Sequence, residues 1–255
     1  MKNIHTSTPI TVTFQPIKTF KFLLYFIVGL TLANVLVRVI DGLFEDIPEI
    51  FIRLFNTDKE QNIPTLFSGF LLLFCSIMLY NIYKFNKNTR YSKHWKGLSI
   101  IFLLMSIDET LSFHETLQYF IKNILNINTS GFLYFAWVIP GAAFVLVFIV
   151  CYLGFIKNLP PRFKRLFLIA GSLYVTGSLF LELFAGYIVD PTTTHDFEFY
   201  FYLIQSTSEE CLEMLGIAIF AYALMSYITS YIKETNWTFR ITSDDNTIIS
   251  HKKDI

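Results

Sequence analysis

The chain has 255 residues, of which 53% are hydrophobic and 18% aromatic, and its 20 basic and 20 acidic residues give a formal net charge of zero. This composition is too apolar for a soluble domain of this length, and nothing in it supports nucleic-acid binding. Cys75, Cys151 and Cys211 lie far apart within apolar segments, which argues against a disulfide framework and a thiolate metal site. We therefore expect an all-α membrane protein: a polytopic bundle in contact with the lipid bilayer.

Six segments have the length and apolar character of membrane-spanning helices. A spanning helix needs about 20 predominantly apolar residues. We number the segments spans one to six: 19–40, 63–83, 98–120, 132–156, 166–189 and 199–228. The sequence thus predicts one transmembrane domain, residues 19–232, between an N-terminal segment, residues 1–18, and a C-terminal tail, residues 233–255.

Loop charges predict the orientation, because short cytoplasmic loops carry an excess of Lys and Arg. The loops after spans two and four are basic and contain no acid, whereas the loops after spans one and five are predominantly acidic. The basic residues are Lys84, Lys87, Arg90, Lys93, Lys96, Lys157, Arg162, Lys164 and Arg165. We therefore expect a bacterial cytoplasmic membrane protein with both termini in the cytoplasm.

This orientation predicts the result of reporter fusions. A reporter fused at Lys93 or Lys164 is expected to read cytoplasmic, and one at Glu60 or Asp196 is expected to read external. The measurement is the activity of a reporter that folds on one side of the membrane. The opposite pattern would reverse the orientation and every depth that follows from it.

The first outer loop has the pattern of a short amphipathic helix. Asp46-Ile47-Pro48-Glu49 resembles a capping box with proline in the first turn. Apolar residues recur at helical spacing on one face: Leu43, Phe44, Ile47, Ile50, Phe51, Leu54 and Phe55. We expect this helix to lie on the outer membrane surface, either as a cover packed on the bundle or as a lid over an outward-facing site.

Spans three, five and six carry acidic residues where hydrocarbon is expected. The acids are Asp108, Glu109 and Glu115 in span three, Glu182 in span five, and Glu209, Glu210 and Glu213 in span six. Each ionised acid at a helix centre opposes insertion by about 3 kcal/mol. Arg38 and His114 are too few to balance them, so protonation, bound metal cations or a water-filled cavity must accommodate the charge.

Helical spacing predicts that these acids converge. On a continuous helix Asp108, Ser112 and Glu115 share one stripe of span three. Ser178, Glu182 and Gly186 form a face of span five that permits close helix approach, and Pro140-Gly141 can kink span four. In span six one polar stripe contains Tyr202, Gln205, Ser206, Glu209, Glu210, Glu213 and Gly216. We therefore expect Asp108, Glu115, Glu182, Glu209 and Glu213 to meet around one cavity.

The leading functional hypothesis is a site for a divalent metal, either zinc, iron or manganese. Its predicted ligands are Asp108, His114, Glu115, Glu182, Glu209 and Glu213. Such a metal would activate water or organise an oxidation on a lipid-borne substrate, as in a metal-dependent hydrolase or oxidase. Glu109 and Glu210 are the candidate catalytic residues, with a general-base role, or else partners of the ligands and of the neighbouring backbone.

Two other classes of function fit the same acids. In a transporter or channel, they would bind and release protons or cations along a pathway through the membrane. In a structural subunit, they would pair with basic residues of a membrane protein partner.

Known intramembrane and helical-bundle sites resemble these motifs only in part. Di-iron carboxylate bundles use Glu-x-x-His elements, whereas here the order is His114-Glu115 and no second histidine of that kind follows. Glu209-Glu210 resembles the Glu-Glu-x-x-x-Arg element of CAAX-type intramembrane proteases, but Met214 occupies the arginine position. The late His-x-x-x-His pair of alkaline-ceramidase-like hydrolases is absent from the sequence. None of these families supplies an assignment.

Overall fold

The computed structural model describes residues 15–44, 48–57, 59, 61–124, 129–189 and 198–232. All regular elements in these ranges are helical, as the composition predicts. The α-helices are α1 Pro16–Phe44, α2 Glu49–Phe55, α3 Ile63–Phe85, α4 Ser92–Leu111, α5 Phe113–Tyr119, α6 Val138–Asn158, α7 Pro161–Val175, α8 Glu182–Val189 and α9 Glu198–Tyr231. Two π-helical segments, Phe120–Ile124 and Thr176–Leu181, and one 3-10 turn, Gly131–Leu133, complete the set.

Five helical stretches among the described residues are long and apolar enough to cross a membrane. They are Pro16–Leu43, Ile63–Phe85, Val138–Asn158, Pro161–Ile188 and Tyr200–Tyr231. A sixth arises if Ser92–Leu111 and Phe113–Ile124, which are bent by 71° relative to each other, are taken as one broken span. The structure is therefore consistent with an integral membrane protein, and the six predicted spans correspond to these six stretches.

Helix α9 is the centre of the bundle, because it packs against α1, α3, α7 and α8. In the most apolar 18-residue stretch of α9, 61% of the stretch is buried, whereas in that of α6 only 6% is buried. The core between α3 and α9 contains fully buried side chains such as Leu72, Leu79 and Leu224. The exposed apolar surface of α6 is what a lipid-facing helix presents.

The predicted kink in span four is wrong. Helix α6 begins at Val138, so Pro140 is the third residue of its first turn. Proline is tolerated there because the first N–H groups of a helix have no partner within the helix. Pro161 likewise stands at the start of α7, in agreement with the predicted break before span five.

The short helix predicted in the first outer loop is present as α2. Pro48 is its N-cap and Glu49 its first residue, so the predicted capping box is wrong: Glu49 comes too early to be its third helical residue. Asp46 and Ile47 lie outside the described residues. Ile50 and Phe51 are exposed, and the location of α2 on a membrane surface stays a prediction.

Candidate functional site

Span three is broken at Ser112, and the side chain of Asp108 holds the break. Ser112 has φ 52° and ψ 46°, a left-handed conformation that redirects the chain. The backbone N–H of His114 donates to Asp108 Oδ1 over 3.0 Å, and His114 Nδ1 lies 3.2 Å from Asp108 Oδ2. The Asp108 carboxylate thus satisfies a free N–H at the start of α5 while pairing with the imidazole.

This break corrects the predicted stripe on span three. Asp108, Ser112 and Glu115 do not share one face of a continuous helix, because the bend follows Asp108 and turns α5 away from the axis of α4. Glu115 is exposed in the first turn of α5. The bend brings His114, rather than Glu115, back to Asp108.

The carboxyl groups of Glu182 and Glu209 lie within hydrogen-bonding range of each other, which joins α8 to α9. The predicted proximity of these two acids is confirmed. An ionised carboxylate is only an acceptor, so a hydrogen bond between two carboxyl groups requires a proton on one of them. The contact is therefore suited to a shared proton, and we call these two residues the carboxyl pair.

Neutral donors surround the carboxyl pair. Trp137 Nε1 donates to Glu182 Oε1 over 3.1 Å. Gln205 Nε2 donates to Glu209 Oε2 over 2.6 Å and to the backbone oxygen of Leu181 over 3.1 Å. These bonds fix the orientation of both carboxyl groups without adding a positive charge.

The indole of Trp137 also connects the carboxyl pair to the broken helix. Its ring centroid lies 5.3 Å from that of His114, which in turn pairs with Asp108. Polar and aromatic side chains therefore form a row from α4 to α9: Asp108, His114, Trp137, Glu182, Glu209 and Gln205. We call this set the polar row.

Four of the acids are within electrostatic range of Tyr174 of α7. Tyr174 is close enough to Glu213, Glu109, Asp108 and Glu210 to interact electrostatically with all four. These acids come from α4 and α9. Tyr174 was not predicted as a site residue; its polar hydroxyl within an apolar span was the signal available.

Gly177 allows the acidic face of α9 to approach the π-helical segment that follows α7. A Cβ atom on Gly177 would lie 2.8 Å from the backbone oxygen of Glu209 and 2.8 Å from Glu213 Cγ. The π-helical segment Thr176–Leu181 contains this glycine and ends just before Glu182. Wide turns of this kind occur frequently at functional sites.

The predicted close-approach face of span five is wrong in its register. Ser178 Oγ donates to the backbone oxygen of Tyr174 in its own helix, over 3.0 Å. Gly186 approaches the backbone oxygen of Gly131 rather than α9. The extra residue of the π-helical turn shifts the facing pattern, so Gly177 takes the position that regular α-helical spacing assigns to Ser178.

The described side chains are paired rather than gathered into one ligand set. No group of three His, Cys, Asp or Glu residues in the described ranges is arranged to hold a metal ion. The role of Asp108, His114, Glu115, Glu182, Glu209 and Glu213 as ligands stays a prediction, as does catalysis by Glu109 and Glu210. His195 lies outside the described residues.

Residues 23–227 match the sequence family described as Domain of unknown function (DUF8692). The chain belongs to this family. The DUF8692 match includes both the carboxyl pair and the acids around Tyr174. No curated protein and no solved structure matches the chain.

Proposed function

We propose that this protein inserts in the membrane as six spans, with its termini in the cytoplasm, and acts as a proton-coupled transporter. The observation that carries the proposal is the carboxyl pair, Glu182 and Glu209, within hydrogen-bonding range of each other on two candidate spans. Within a bilayer such acids are costly, and proton relays are one of their established uses. A pair that shares a proton can release it and take it up again while remaining in place.

Further titratable groups lie near the carboxyl pair. Trp137 donates to Glu182 and its ring contacts His114, so it orients these groups without passing a proton itself. His114 pairs with Asp108, and histidine is the side chain best suited to exchange protons near neutral pH. Tyr174 of α7 is within electrostatic range of Glu213, Glu109, Asp108 and Glu210. Acids from three candidate spans are thus available for successive proton transfers.

The test is proton movement by protein reconstituted in liposomes. A potassium diffusion potential drives protons, and a trapped pH-sensitive dye reports them. Glu209→Gln keeps the size of the side chain and introduces an amide that can donate to Glu182, but this amide cannot carry the proton. We expect this variant, and Glu182→Gln, to lower the rate of proton transfer by at least about tenfold.

The matched control is Glu115→Gln, which neutralises an exposed acid of the broken span. Its rate is expected to equal that of the unaltered protein. Difference infrared spectra add a readout that needs no transported substrate, because the band of the protonated carboxyl is expected to disappear in Glu209→Gln. Unchanged proton transfer and an unchanged band in that variant would reject the proposal.

A divalent metal centre is the second candidate. The observation that favours it is that Tyr174 is within electrostatic range of four acids, one of which, Asp108, also pairs with His114. Zinc, iron or manganese held there would offset the negative charge, and Glu109 or Glu210 would then serve as a general base toward a lipid-borne substrate. In this arrangement the ligands would have to move from the pairs seen in the structure.

Elemental analysis of the purified protein distinguishes the two candidates. Stoichiometric metal that is lost in His114→Ala or Glu209→Ala, together with a lower Tm after chelation, would favour the metal centre. Replacement of His195 is the control and is expected to change neither quantity. Metal at background level and an unchanged Tm after chelation would leave proton transfer as the sole proposal.

A further inference from the structure

Arg38 of α1 is a buried cation with few acceptors. Its side chain is 7% exposed, and its Nη1 donates to Ser206 Oγ over 2.7 Å. Its guanidinium carbon lies 5.5 Å from the centroid of the Tyr202 ring. Within the described residues, no Asp or Glu forms an ion pair with it, although Asp41 lies one helical turn further along α1.

Polar, uncharged side chains lie beside Arg38 in the part of the chain that the structure describes. Asn34, one turn earlier in α1, donates to Thr207 Oγ1 over 2.8 Å and accepts from the backbone N–H of Thr57 over 3.1 Å. Thr57 is 7% exposed, and its Oγ1 has no hydrogen-bond partner among the described atoms. These residues provide hydroxyl and amide groups to the interface of α1, α9 and the end of α2, but no negative charge.

The guanidinium of Arg38 can bind an anion. Arginine has several N–H donors, and among the described residues only the bond from Nη1 to Ser206 is found. Because Nη1 already donates to Ser206, the edge of the guanidinium formed by Nε and Nη2 can donate to another acceptor. That edge matches the two oxygens of a carboxylate, which it binds through two parallel hydrogen bonds. The ring of Tyr202 lies against the guanidinium and contributes a cation–π contact.

We infer that Arg38 binds the carboxylate of a small organic anion, beside Ser206 and Tyr202, and that this anion is carried together with the proton. The inference rests on the proposed transport function and names its substrate class. Ser206 and Glu209 are three residues apart on α9 and therefore lie on the same face. Anion binding at Arg38 is then within one helical turn of the carboxyl pair.

Charge explains the coupling between the two sites. A proton on the carboxyl pair removes negative charge near Arg38 and favours an anion there, and by linkage the anion favours the proton. The titratable groups nearest to this site along the elements that form it are Asp41 on α1 and Glu209 and Glu210 on α9, with Glu182 joined through Glu209. Helix α2 carries Glu49 and Arg53, and Thr57, which follows α2, is uncharged.

The experiment measures binding of radiolabelled lactate to the purified full-length protein, with competition by acetate, succinate, chloride and methylammonium. We expect saturable binding that acetate displaces and methylammonium does not. Arg38→Gln is expected to weaken lactate binding by at least about tenfold, because a charge-assisted pair is lost. Arg38→Lys keeps the charge but cannot form two parallel hydrogen bonds. Its affinity for lactate is expected to lie between those of the unaltered protein and Arg38→Gln.

Arg162→Gln is the matched control, because Arg162 Nη2 also donates to a hydroxyl, that of Tyr222, over 3.0 Å, but its side chain is exposed. It is expected to bind lactate as the unaltered protein does. Wild-type affinity in Arg38→Gln would overturn the inference. If that variant does not fold, wild-type affinity in Arg38→Lys has the same meaning.

Failure of this inference is distinguishable from failure of the proposed function. If proton transfer depends on Glu209 but lactate, acetate and succinate do not bind, the substrate assignment is wrong and proton transfer stands. If lactate binds through Arg38 but Glu209→Gln keeps full proton transfer, the coupled transport is rejected. In proteoliposomes, an inward proton gradient is expected to accelerate lactate uptake by the unaltered protein and not by Glu209→Gln.

Discussion

Replacing Gly216 with leucine is expected to destabilise the protein by about 3 kcal/mol. A Cβ at this position of α9 would lie 2.8 Å from the backbone oxygen of Ala170 and 2.9 Å from the backbone nitrogen of Tyr174. Both are main-chain atoms of α7, which side-chain rotation cannot move away. Helix α7 must shift instead, and Tyr174 shifts with it relative to the surrounding acids. The measurement is the thermal unfolding of the purified protein in detergent.

Gly171→Leu is the control for Gly216→Leu. Gly171 is exposed on α7, and a Cβ there meets no atom within 4 Å. Leucine has a higher helix propensity than glycine by up to about 1 kcal/mol, so this variant is expected to be at least as stable as the unaltered protein. Equal Tm values for the two leucine variants would contradict the close approach of α9 and α7.

Replacing Asp108 with alanine is expected to destabilise the broken span by about 2 kcal/mol. The variant loses the acceptor of the His114 backbone N–H, which lies 3.0 Å from Asp108 Oδ1. It also loses the oxygen that lies 3.2 Å from the His114 imidazole nitrogen. Thermal unfolding measures the total cost, and the chemical shifts of the His114 ring report the second loss separately.

Asp108→Asn separates these two contributions. The amide oxygen can still accept from the His114 backbone N–H, so about half of the lost stability is expected to return. The ring of His114 is expected to lose its charged partner in both variants. If Asp108→Asn unfolds at no higher temperature than Asp108→Ala, the hydrogen bond to the His114 backbone N–H contributes nothing to the stability of α5.

The helical architecture was predictable because it depends on long apolar segments. The break in span three was not, because it rests on Ser112, a residue with no special tendency toward positive φ. Glycine or proline would have marked the position in the sequence. At Ser112 the signal instead lies in Asp108, whose side chain caps a helix that starts only after the break.

The candidate site was predictable in its acids but not in the way they are joined. Intramembrane charge identified Glu182 and Glu209, since hydrocarbon tolerates such groups only with a partner. Regular spacing failed at Gly177 and Ser178, because the π-helical turn changes the facing of the residues around it. Trp137 was missed because it comes just before α6, and its indole reaches Glu182 across sequence-distant segments.

The direction of the Glu182 side chain depends on the number of residues in the π-helical segment Thr176–Leu181 rather than on which residues they are. Each residue of an α-helix turns the chain by about 100°. Removing one residue from the segment would convert the wide turn into a regular one and carry the carboxyl group of Glu182 around the helix, away from α9. Substitutions at exposed positions of the segment leave the rotation of Glu182 about the helix axis unchanged. Insertions and deletions between Tyr174 and Glu182 are therefore expected to disturb the carboxyl pair more than substitutions at exposed positions of the same segment.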